Sequence, residues 1–229
     1  MKKTIFSALI LVCISFMLFS CKGVTGETGP TGPAGASDPT GLSVINIQEN
    51  YFYQADDTCL DSSDPDNTYG DSYYLYAEND DYGIWRPVFR FDTASVLPAA
   101  TKIEKAYLTV FLGDDLAGSP VITPYALNTD WVEDSATWNS PDGSAVWTGG
   151  NPQAAIGNSV APLNGNQFIT FELNPAVVQG WINTPGTNYG ILLDTAFKAG
   201  ENYAEILSSN YGDNAGDFTT NPILTLYYK

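Results

Sequence analysis

Beyond Gly41 the apolar residues fall in short runs of period two, separated by Gly, Asn, Asp and Pro. This is the pattern of strands that bury one face and wet the other. Between residues 102 and 112, Ala106, Leu108, Val110 and Leu112 share one face. Ile169, Phe171 and Leu173 alternate with Thr170 and Glu172, and Leu224 and Leu226 with Thr225 and Tyr227. Further strands are expected at residues 44–47, 51–55, 73–77, 85–91, 121–127, 190–193 and 205–208. One segment departs from this period. Asn174 is a suitable N-cap, Pro175 suits the first helical position, and Val177, Val178, Trp181 and Ile182 recur at helical spacing. The expectation is an all-β domain over residues 42–229, a jelly-roll-like β-sandwich with one short helix across its end. About 190 residues suffice for a single core of this kind.

The first 41 residues read differently. Lys2 and Lys3 precede an apolar run over 5–19 interrupted by Ser7 and Ser15, and Leu18-Phe19-Ser20-Cys21 resembles the lipobox of bacterial lipoproteins. Residues 1–20 are then a signal peptide, and Cys21 carries the acyl chains that hold the protein to a membrane, facing outward from the cell envelope, at the outer membrane or cell surface. An ordinary signal peptide and an uncleaved anchor helix are the alternatives. From Gly23 to Ser37 glycine occupies every third position, a collagen-like Gly-x-y tract within the 21–41 linker. Five triplets favour an extended spacer of some 40 to 50 Å, at ~3.1 Å per residue; a stem that makes a homotrimer is the alternative.

Charge narrows the partners. The formal charge of −17 becomes −19 once Lys2 and Lys3 leave, with 7 basic residues against 26 acidic ones. Phosphate binding needs clusters of Lys and Arg, so nucleic acid is excluded as a partner, and the membrane is reached through the lipid anchor alone. The chain has no histidine, which removes the commonest general base and every Ser-His-Asp arrangement. With Cys13 in the leader and Cys21 acylated, Cys59 is the remaining thiol and no intrachain disulfide forms.

Several segments in order carry a resemblance. They are Asp71-Ser72-Tyr73-Tyr74-Leu75, Arg86-Pro87-Val88-Phe89-Arg90-Phe91-Asp92, Ala106-Tyr107-Leu108, and Trp131-Val132-Glu133-Asp134-Ser135-Ala136-Thr137-Trp138-Asn139. Asn188-Tyr189-Gly190-Ile191-Leu192-Leu193, Ser208-Ser209-Asn210-Tyr211 and Pro222-Ile223-Leu224 follow. Over roughly residues 45–229 the chain resembles the DNRLRE-type domain, also described as carbohydrate-binding module family 96 and related to disaggregatase-associated repeats. The resemblance implies a jelly-roll sandwich acting as a non-catalytic module on secreted or surface proteins. Some members resemble alginate binders, whereas a domain of this charge meets Coulomb repulsion from a polyanion. A neutral polysaccharide suits it better.

Four constellations carry candidate chemistry. Asp56, Asp57, Asp61, Asp64 and Asp66 form the densest acidic stretch, which reads either as a solvated Asx-rich loop or as a structural calcium site, without EF-hand spacing. Arg86 and Arg90 share a strand face and read as fork-like sugar contacts or as ion pairs with Asp92, Glu104 or Glu133. Five Trp and fourteen Tyr exceed what the core needs, and aromatic faces stack on the C–H face of a pyranose. Tyr73, Tyr74, Tyr76, Tyr82, Trp147, Tyr203 and Tyr211, with Arg86, are the glycan-contact candidates, while Trp131, Trp138 and Trp181 belong to the core. Glu133 and Glu172 are the one conceivable glycosidase pair, with nothing in the sequence to join them. The reading is a surface-anchored carbohydrate-binding module and not an enzyme. The alternative is a structural or adhesive surface protein that binds itself or another extracellular protein.

Overall fold

The computed structural model describes residues 41–49, 54–215 and 218–229. The leader, Cys21, the Gly-x-y tract and most of the strand expected at 51–55 lie outside them. The strands are β1 (Ser43–Ile47), β2 (Ala55–Asp61), β3 (Tyr74–Asn79), β4 (Ile84–Phe91), β5 (Ile103–Ala117), β6 (Ile122–Ala126), β7 (Gln167–Leu173), β8 (Ile191–Thr195), β9 (Tyr203–Leu207) and β10 (Ile223–Tyr228). Helix α1 spans Pro175–Asn183 and α2 spans Ser209–Ala215. All strand pairs are antiparallel, in the order β1-β10-β5-β9-β3-β4-β8-β6, with β2 on β4 and β7 on β5. The fold is all-β and jelly-roll-like, a sheet curled over a shared interior.

β5 joins the two layers. Its first part lies between β10 and β7, with Leu108 opposite both Leu224 and Phe171. From Leu112 it pairs with β9, opposite Ile206, and the pairing resumes at Leu116 after an irregularity. Gly113 sits in that irregularity, and a Cβ there would collide with the Glu205 carboxylate. The alternation read from the sequence is the core: Ala106, Leu108, Val110 and Leu112 are buried against Phe171, Leu224, Leu226, Phe89, Phe91, Leu75 and Ile206.

A second cluster covers the other face of β2, β4 and β8. Leu60, Val88 and Leu192 pack there against Leu127, Trp131, Ala136 and Trp147 from the long β6–β7 connection. These strands are therefore buried on both sides, which is why 85–91 reads as a nearly continuous apolar run broken by two arginines. Gly150 closes this layer with φ +81°, and a Cβ would lie 2.6 Å from Leu192 Cδ1 and 3.1 Å from Leu60 Cδ1. Gly150→Ala is expected to destabilise the protein by about 1–3 kcal/mol through backbone strain, read as a lower urea midpoint at unchanged m.

Helix α1 forms as its cap predicts, with the Asn174 side chain accepting from Ala176 N at 3.0 Å and Val178, Trp181 and Ile182 buried. Gln179 fastens it to the start of β5, accepting from Ile103 N and donating to the Thr101 carbonyl, both at 2.9 Å. Two expectations are corrected. The helix is not alone, since α2 follows β9. The acidic stretch is not wholly a loop, since Asp56, Asp57 and Asp61 lie in β2, where specific hydrogen bonds and an arginine override the poor strand propensity of aspartate.

Candidate functional site

The register of β3, β4 and β9 brings four side chains to one hollow. Tyr76 lies opposite Glu205, and Glu78 lies opposite both Tyr203 and Trp85, while Leu75, Ala77, Ala204 and Ile206 turn into the core. Tyr76, Glu78, Trp85 and Tyr203 line a shallow, mainly apolar cavity of about 220 Å³. Ring centroids of Tyr76 and Trp85 are 5.8 Å apart and those of Tyr76 and Tyr203 6.1 Å, both edge-on, and Tyr69 leans on Trp85 at 5.0 Å. Such T-shaped and tilted contacts hold the rings in place without stacking them away from solvent.

Each phenol is also fixed at its oxygen. Tyr76 Oη donates to Glu205 Oε2 at 3.0 Å, Tyr203 Oη to Asp115 Oδ1 at 2.8 Å, and Tyr69 Oη to Asp61 Oδ2 at 3.0 Å. Burial, with Asp80 beside it, pushes Glu78 up to about 7. The hydrogen bond to Asp115 and partial burial push Tyr203 up to about 12, and burial with the Glu205 carboxylate raises Tyr76 further. Burial raises Glu205 as well, with Asp115 and Asp114 adding to it. The hollow is an aromatic surface in a concentrated negative field.

The expected glycan contacts divide. Tyr76 and Tyr203 meet in the hollow, and Tyr74 pairs with Tyr211 farther along β3 at 5.7 Å. Tyr73 and Tyr82 are exposed but line none of it, Tyr82 standing on the β3–β4 turn where Asp80 Oδ1 accepts from its N–H at 2.7 Å. Trp147 does not fit the role expected of it: only 2% exposed, it donates from Nε1 to the Thr137 carbonyl at 2.7 Å within the second core cluster. Arg86 is likewise internal, paired with Asp194 at 2.9 Å, bonded to the Gly149 carbonyl at 2.9 Å and lying over the Trp138 ring at 5.1 Å. Arg90 pairs with Asp56 at 2.6 Å and Asp130 at 2.5 Å over the Trp131 ring. The ion-pair reading of the two arginines holds, with partners other than Asp92, Glu104 and Glu133. Sequence reasoning missed Trp85, because its spacing with Phe89 and Phe91 reads as core, and it missed Glu78 and Glu205, whose signal lies only in the cross-strand register.

The five aspartates of the acidic stretch do not converge. Asp56 meets Arg90, Asp57 accepts from Ser209 N at 2.8 Å, and Asp61 serves Ser63 and Tyr69. Asp66 accepts from Asn139 at 2.8 Å, and the Asp64 carbonyl closes a turn with Asn67. Among the described residues no three acidic or cysteine side chains are grouped to hold a metal ion. A different carboxyl pair does form. Glu133 Oε1 accepts from Asp57 N at 2.9 Å beside a small polar cavity that Glu49 and Asp56 also line. Burial pushes Asp57 from 3.8 to about 7 and Glu133 from 4.5 to about 8, each raised further by neighbouring carboxylates. Glu172 lines a separate hollow by Asn158 and Pro175, so it does not complete a pair with Glu133.

The model of carbohydrate-binding module family 96 matches residues 48–204. The chain belongs to carbohydrate-binding module family 96. No curated protein matches it. The matched span contains every residue lining the aromatic hollow, together with Gly113. It also contains the 86–92 and 131–139 segments of the resemblance, and in the module these two grip one another: Trp138 lies on Arg86 and Trp131 on Arg90. They build the wall of the module.

Proposed function

We propose that this chain is an outward-facing, lipid-anchored surface protein whose family 96 module binds a polysaccharide at the Tyr76–Trp85–Tyr203 hollow without altering it. The observation that carries this is the hollow itself, three rigidly held aromatic rings open to solvent with carboxylate acceptors beside them and no basic side chain in its lining. Ring faces suit the apolar face of a pyranose, and Glu78, Glu205 and Asp115 offer acceptors for its hydroxyls. The same negative field disfavours a polyanion such as a uronate polymer. The absence of histidine and the separate placement of Glu133 and Glu172 support binding without turnover. The lipobox at Cys21 and the Gly-x-y tract support presentation away from the membrane.

Tyr203→Ala and Tyr76→Ala are each expected to weaken retention on immobilised neutral polysaccharides about fivefold to tenfold, the loss of about 1 kcal/mol of ring contact, while the far-ultraviolet spectrum stays that of the parent. Affinity electrophoresis across a polysaccharide panel measures it. Retention that ignores both substitutions would place the ligand elsewhere.

A further inference from the structure

We infer that the hollow is built for a cationic amino group, so that its preferred ligand is an amino-sugar polysaccharide carrying free amines; this rests on the glycan reading above and narrows it. Elsewhere in the described residues the chain completes comparable settings with its own cations. Trp138 and Asp194 share Arg86, and Trp131, Asp56 and Asp130 share Arg90. On the β5–β10 face, Lys105 Nζ lies 5.6 Å from the Tyr227 ring. The hollow repeats this composition, with aromatic rings and carboxylates together, yet its lining is Tyr76, Glu78, Trp85 and Tyr203, with no basic side chain among them.

Its geometry strengthens the preference. Tyr76 and Tyr203 both donate their hydroxyl protons to carboxylates, to Glu205 and Asp115, which leaves the rings richer in electrons and their faces more attractive to a cation. Glu78 lies within the lining, where a protonated amine can meet a carboxylate and ring faces at once. Burial and nearby carboxylates, Asp80 for Glu78 and Asp115 with Asp114 for Glu205, hold these two carboxyls above their ordinary values, and a bound ammonium would relieve that. A neutral sugar gains stacking and hydroxyl hydrogen bonds, whereas an amino sugar adds a cation–π contact and an ion pair.

The test is calorimetric titration of the full chain in detergent at about pH 6.5, where the sugar amine and Glu78 both titrate and binding of the ammonium form draws the proton off the carboxyl. The probes are β-1,4-linked glucosamine, N-acetylglucosamine and glucose oligosaccharides of equal length. The free-amine series is expected to bind about tenfold tighter than the other two. That ratio should fall towards one in Glu78→Gln and in Tyr76→Ala, and tetramethylammonium should compete. Equal affinity for the three series would overturn the inference and leave the glycan reading standing. An amine preference that survives both substitutions would overturn it too, by showing diffuse attraction to the acidic surface. Binding of none of the three would remove this inference together with the site it rests on.

Discussion

Raising the pH from about 4 to about 8 is expected to lower the melting temperature of this protein by roughly 10 °C or more, the reverse of the usual carboxylate behaviour. Most native carboxylates are held below their unfolded values and stabilise at neutral pH. Here Asp57, Glu78 and Glu133 are pushed up, to about 7, about 7 and about 8. Between the unfolded and folded values the native state holds protons that the unfolded chain has released. Their stabilising contribution is therefore full below about pH 4 and is gone once the pH has climbed through 7 to 8, at ~1.4 kcal/mol per pH unit for buried Asp57 and at less for Glu78 and Glu133, whose charges water partly screens. Asp57, 1% exposed with Oδ1 unpartnered, is the least screened of the three, worth on the order of 4 kcal/mol for a move from 3.8 to about 7. Asp57→Asn keeps an acceptor for Ser209 N and removes the ionisation, so it should flatten the alkaline limb and raise the melting temperature at pH 8. Scanning calorimetry at several pH values decides the matter, and a melting temperature that climbs with pH would refute this account.

Trp131→Ala should cost about 3–5 kcal/mol, enough to remove a large share of a domain's stability. Trp131 is 1% exposed, donates from Nε1 to the Tyr189 carbonyl at 2.8 Å and lies under the Arg90 guanidinium at 4.9 Å. Truncation opens a cavity beside Leu127 and Ala136, orphans the Tyr189 carbonyl and loosens the seat of Arg90 between Asp56 and Asp130. Trp131→Phe refills much of the volume and should recover about half the loss. Phe197→Ala, at a ring 63% exposed, serves as the control and should move the urea midpoint hardly at all. A Trp131→Ala protein as stable as its parent would mean that the β6–β7 connection does not anchor the second layer.

Alternation showed the strands that bury one face, and the Asn174–Pro175 start showed α1, because in both cases local chemistry and tertiary environment agree. β2 was hidden because three aspartates contradict strand propensity; Asp56 and Asp57 find their partners far along the chain, at Arg90 and Ser209, and Asp61 meets Tyr69 across the following loop. Helix α2 was hidden because Ser209, Asn210 and Gly212 are weak helix formers without an apolar period. The site was half legible. Tyr76 and Tyr203 stood out as surplus aromatics, but Trp85 looked like core and Trp147 looked like loop. Exposure in a sandwich is settled by how the connections pack, and the 127–150 connection buries its own Trp147 against Leu60, Val88 and Leu192 while Trp85 stays at the rim of a hollow.

The mutual grip of the arginine strand and the tryptophan loop separates what marks the family from the proposed ligand surface. Arg86, Arg90, Trp131 and Trp138 are occupied with one another and with internal carboxylates. The rings around Glu78 come from β3, from β9 and, through Trp85, from the arginine strand β4 itself. Two proteins could share the first set in full and differ in the second, and they would then be siblings in architecture with unlike appetites for sugar.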